Sequence, residues 1–136
     1  MEEKQRKLCL TAALSCMLFF SLGYASQVLA MGVVAGRYLE RSGTAIALEI
    51  TIGSPAPASL IVIQHLPPGT KIAKADPAYK KYNAGTGEVR WLLRKPPAGT
   101  ITIRLIPAAP AVSGKVHAEL RCMDPATGEL ITSRVE

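Results

Sequence analysis

The sequence is poor in the residues that carry most enzyme chemistry. Histidine occurs twice, aromatics make up 5% of the chain, and Cys122 is the single cysteine beyond an apolar N-terminal segment that holds Cys9 and Cys16. One cysteine excludes an intrachain disulfide there, so the fold has to stand on packing alone. Cys122 reads as a small buried hydrophobe, with an intermolecular disulfide as the alternative. The chain has no Cys-x-x-Cys-His haem motif, no cluster with zinc-like spacing, no nucleophile elbow, no phosphate-binding glycine loop and no paired-histidine metalloprotease motif. The expectation is therefore no cofactor, no metal, no catalytic residue and no enzyme. A Ser–His–Asp set drawn from distant positions is a matter of space rather than spacing, and His65, His117, Asp76 and Asp124 read instead as turn or sheet-surface groups. Two Asp-Pro steps, at Asp76 and Asp124, supply too few oxygens to argue for calcium.

Charge is also unevenly spread. No charged residue occurs from Leu8 through Gly36, and the stretch is preceded by the basic flank Lys4, Arg6 and Lys7. A basic flank before an apolar run reads as an export signal over 1–30, expected to be helical, with cleavage after Ala30 or after Ala25. The alternative is an uncleaved signal anchor, since the charge-free interval exceeds the roughly 20 residues that cross a bilayer. Either way the remainder, 31–136, is expected outside the cytoplasm, in a periplasm or the extracellular space, with membrane contact only if the signal stays uncleaved.

What the remainder does contain is strand periodicity cut by Pro/Gly punctuation. Ile46, Leu48, Ile50 and Ile52 stand two apart, and Gly53 to Pro57 then break the pattern. Ser59–Leu66 is the next strand, closed by Pro67, Pro68 and Gly69. Val89, Trp91 and Leu93 share one face of Glu88–Arg94, and Trp91 is the expected centre of the core. Ile101, Ile103 and Leu105 repeat the pattern, followed by Val116, Ala118, Leu120 and Cys122, with His117, Glu119 and Arg121 turned away. Asp124 to Gly128 turn the chain into a last strand, Glu129 to Val135, forming a hairpin with a five-residue connection. Further short strands are expected near Val33–Glu40 and Lys71. No helical period follows the signal, which favours two packed antiparallel sheets of about seven strands in one all-β domain.

Three stretches, Leu60–Ile72, Gly87–Leu93 and Pro97–Leu105, in that order, resemble the bacterial DUF11-like surface repeat domain, over about 45–120. That resemblance implies an immunoglobulin-like β-sandwich with a structural, adhesive or assembly role, and it carries over no catalytic residue. Members often carry Asp or Asn where this chain has Gln64 or His65 and usually occur as repeats in longer proteins, whereas this chain has a single copy.

Beyond Ala30 the sequence has 13 Lys/Arg against 8 Asp/Glu, a formal +5. Lys71, Lys74, Lys80 and Lys81 fall close to Tyr79 and Tyr82, a loop suited to an acidic polymer, a polysaccharide or another solute, or simply to keeping the surface solvated. Nucleic acid is not expected as a partner, because the domain is read as exported and has no recognition helix. The function expected first is a non-catalytic structural or adhesion-type domain that binds another envelope or extracellular protein, by a loop face or by strand addition at a sheet edge. The alternative is a soluble binding module using the 71–82 loop.

Overall fold

In the computed structural model, residues 33–110 and 116–136 are described; the segment read as an export signal lies outside them. Nine strands occur in the described residues: β1 (Val34–Arg41), β2 (Ile46–Ile52), β3 (Ser59–His65), β4 (Ile72–Asp76), β5 (Lys81–Asn83), β6 (Glu88–Arg94), β7 (Gly99–Pro107), β8 (His117–Met123) and β9 (Leu130–Val135). They form a four-stranded sheet in the order β1-β2-β7-β4 and a five-stranded sheet in the order β5-β6-β3-β8-β9, with every neighbouring pair antiparallel.

The expected alternation places the core. Ile46, Leu48, Ile50 and Ile52 of β2 and Ile103 and Leu105 of β7 face Leu60 and Val62 of β3, Val89 and Trp91 of β6, and Ala118, Leu120 and Cys122 of β8 in one buried cluster. Period-two side chains leave each strand toward alternate faces, so two such sheets close over a shared apolar layer. Trp91 is only 2% exposed, and its indole N–H donates to the Pro77 carbonyl at 2.8 Å. That bond ties the core to the segment that carries the chain from β4 in one sheet to β5 in the other. Cys122 is buried and free, with its thiol pushed up by burial and, secondarily, by the charge of Asp124.

Two glycines permit close approaches. A Cβ on Gly36 of β1 would lie 2.7 Å from Val135 Cγ2 and 3.0 Å from Leu120 Cδ1, so glycine is what lets β1 settle onto β8 and β9. Gly87 adopts φ +75° with its missing Cβ directed at the Leu66 carbonyl oxygen, 2.0 Å away. Its own carbonyl accepts from Leu66 N–H at 2.8 Å, which pins the end of β3 to the start of β6.

The count of about seven strands is corrected to nine. β4 is the short strand expected near Lys71, and β5 is the unexpected one: it has three residues, too few for a period, and forms because Lys81, Tyr82 and Asn83 pair with Arg90, Val89 and Glu88. The last hairpin also differs slightly. Its connection spans 124–129, because Asp124 N–H donates to the Glu129 carbonyl and Asp124 Oδ1 accepts from Ala126 N–H, holding Glu129 in the turn.

Candidate functional site

The basic loop singled out in the sequence is divided by the sandwich. Lys74 pairs in register with Ile106 while the next residue, Ala75, pairs with the buried Leu105, so Lys74 points outward from the four-stranded sheet. Lys81 pairs with Arg90 on the outer face of the five-stranded sheet, and Tyr82, opposite the fully buried Val89, turns inward. Lys71 lies just before β4, beside a shallow cavity of about 270 Å³ formed with Pro67–Thr70 and Ala108–Pro110. Tyr79 and Lys80 occupy the crossover between the sheets, where Lys80 N–H donates to the Arg90 carbonyl at 2.7 Å. Tyr79 meets Tyr82 edge-on at 6.0 Å between ring centroids, and burial raises the Tyr82 phenol above its ordinary range, with Tyr79 adding to the rise. The six side chains thus serve two faces and a connection; the structure gathers Tyr79 with Tyr82 and separates Lys74 from Lys81.

The register assembles a different constellation, on the outer face of the five-stranded sheet. His65 of β3 stands directly opposite His117 of β8, and their rings stack with centroids 4.4 Å apart and planes 15° from parallel. Glu119, two residues along β8 on the same face, brings Oε1 to 3.8 Å from His65 Nε2. Arg121 Nη2 donates to the other carboxylate oxygen at 2.6 Å, and this bond first, with the positive neighbours adding, holds Glu119 below the usual carboxylate range. Desolvation, helped by the charges of His65 and Arg134, holds His117 below the usual imidazole range. His65 Nε2 is buried without a hydrogen-bond partner.

Beneath this group the strands are tied from inside the core. Gln64, 2% exposed, donates to the His117 carbonyl at 3.0 Å and to the His65 carbonyl at 3.2 Å, and its Oε1 accepts from the Tyr38 hydroxyl of β1 at 3.0 Å. Burial raises the Tyr38 phenol, which keeps it a donor across the sandwich. Sequence spacing did not reveal the cluster because 51 residues separate His65 from His117; a predicted β3–β8 pairing in the right register was the missing signal.

At the opposite end of the same face lies an apolar group. Leu92 pairs with Ile61 and Met123 pairs with Leu130, placing four apolar side chains across β6, β3, β8 and β9. Ile61, Met123 and Leu130 are 38%, 51% and 66% exposed. Arg94 and Arg121 flank them in register.

Together these features define an antiparallel β-sandwich that carries its distinctive side chains on one outer sheet face. No family model matches the chain, and no curated protein matches it. Among solved structures, the collagen-binding domain from a Staphylococcus aureus adhesin is similar, at 6% sequence identity and a TM-score of 0.38, covering 76% of this chain and 95% of that one. A likeness of that size says nothing of what this chain binds, and the DUF11-like resemblance rests on the sequence residues alone.

Proposed function

We propose that this domain is a non-catalytic, immunoglobulin-like binding module, exported from the cytoplasm, that engages another protein through the apolar end of the outer face of its five-stranded sheet. The observation that carries the reading is two apolar pairs on one face, Leu92 with Ile61 and Met123 with Leu130, offset by two residues along four successive strands, with three of the four residues more than a third exposed. Contiguous apolar surface with a charged rim is the pattern of a protein contact, because its desolvation drives association and the rim sets orientation. The immunoglobulin-like reading is supported by strand order: β2 and β7 adjoin in one sheet and β3 and β8 in the other, as strands B with E and C with F do in that fold. Export is supported by the basic flank and the charge-free run in 1–30. Because the 71–82 loop is divided between two faces, we rank the polymer-binding alternative second.

Site-specific photo-cross-linking in the producing cells tests the reading. A photoreactive residue at Leu130 or Ile61 is expected to yield one discrete protein adduct, and Thr100, exposed on the outer face of the other sheet, none. Adducts confined to Thr100 would overturn the proposal, and adducts confined to Tyr79 would transfer the function to the loop.

A further inference from the structure

We infer that His65, His117 and Glu119 form a binding site for one divalent transition-metal ion of the zinc, nickel or copper type, separate from the apolar contact surface. Each of the three offers one ligand atom, and those atoms all lie within 4.8 Å of one another. Metal–ligand bonds of about 2.0–2.2 Å require ligand atoms roughly 3.0–3.5 Å apart, so the widest separation has to close by about 1.5 Å, and the stacked imidazoles have to turn out of parallel so that their in-plane nitrogen lone pairs converge on one ion. The donor chemistry selects the ion. Two imidazole nitrogens and a single carboxylate suit borderline metals, whereas calcium and magnesium require mostly oxygen.

The surroundings are those of a prepared site. His65 Nε2 is buried yet makes no hydrogen bond, a cost that coordination would remove. Arg121 occupies Glu119 Oε2 and leaves Oε1 as the oxygen nearer His65, which is how an outer-shell partner aims a ligand. Gln64 fixes the backbone carbonyls of both histidines from inside the core, so the two imidazoles spring from a rigid pair of strands. Glu88, register partner of His65, Arg134, register partner of Glu119, and Glu136, whose charge reaches His117, belong to the charged neighbourhood. Three protein ligands on an open sheet face leave a coordination position directed away from the sheet, for water or for a donor atom from a bound partner.

The test is calorimetric titration of Zn2+ and of Ni2+ into the untagged full-length chain after chelator treatment, near pH 7.5, followed in parallel by NMR of the histidine ring protons. One equivalent is expected to bind, shifting both histidines, with no response to Mg2+. His65→Gln and His117→Gln are each expected to weaken binding at least about tenfold, and Glu119→Gln less, with circular dichroism confirming that each variant is folded. Saturable binding absent up to about 1 mM metal, or full binding retained in the doubly substituted His65→Gln, His117→Gln chain, would overturn the inference. The latter result would move the ligands elsewhere, Cys9 and Cys16 being the remaining thiol pair.

Discussion

Outward from the four-stranded sheet, β2 presents Ala47, Glu49 and Thr51 opposite Arg104, Thr102 and Thr100 of β7, and Arg37 of β1 pairs with Glu49 at 2.6 Å. Outward from the five-stranded sheet, β3 presents Ile61, Ile63 and His65 opposite Arg121, Glu119 and His117 of β8. The inner faces of both sheets are alike, built of Ile, Leu and Val at alternate positions. Folding therefore places the same demand on each sheet's inward residues and a lighter one on the outward ones, of which Ala47 and Ile63 are also buried. The first outer face is polar along most of β2 and β7, with Ile106, 43% exposed opposite Lys74, as an apolar residue without an apolar register partner. The second carries both histidines and the two apolar pairs, and it is the face to which the proposed binding is assigned.

Substitutions divide along the same line. The largest loss of stability is expected for Trp91→Ala, about 3–5 kcal/mol by denaturant titration, since it removes the largest fully buried side chain together with the hydrogen bond to Pro77. Trp91→Phe keeps most of the packing and isolates the bond, at about 1 kcal/mol. A loss for Trp91→Ala no greater than for Trp91→Phe would break the claim that the inner faces carry the fold. Next comes Gly36→Val, where the added atoms press on Val135 and Leu120 and overpack the contact between the sheets, at about 1–3 kcal/mol.

Acid sensitivity sharpens the comparison, because His117 and Glu119, both shifted downward by folding, lie on the outer face of the five-stranded sheet. His117 titrates below its ordinary value of 6.5 in the folded chain, so on acidification the unfolded chain takes up the proton first, and stability falls as the pH drops below about 6.5. The depressed Glu119 carboxyl contributes stability that is present above its ordinary value of 4.5 and is lost as pH falls through its folded value. In metal-free buffer, denaturation midpoints followed from pH 8 downward should show both steps (about pH 8 being a starting point above either titration). His117→Gln should remove the upper step and Glu119→Gln the lower. An unchanged profile in both variants would assign the acid response to other groups.

The smallest effect on stability distinguishes the two faces most sharply in function. Ile61→Lys and Thr51→Lys should each shift unfolding by no more than about 0.5 kcal/mol, as surface substitutions do. Yet Ile61→Lys should abolish the cross-link formed from Leu130, and Thr51→Lys should leave it intact. Equal loss in both would erase the functional difference between the faces.

Much of the sandwich was readable from alternation. Alternation turns Ile46, Leu48, Ile50, Ile52, Val89, Trp91, Ala118, Leu120 and Cys122 inward, and all nine are buried. β5 was not readable, because three residues held by pairing with β6 leave no period in the sequence. The lysine and tyrosine cluster was readable only as proximity along the chain. Six residues between Lys74 and Lys81 are enough to cross from one sheet to the other, and proximity in sequence then becomes separation in space.

By itself, the sequence determined which residues face inward and where the chain breaks, since side-chain alternation and the backbone limits of proline and glycine are local properties. The tertiary structure alone decided that His65 meets His117 and Glu119, and that Ile61 meets Leu92 beside Met123 and Leu130. Those encounters depend on which strands become neighbours and in what register, and register is fixed by packing the whole core at once.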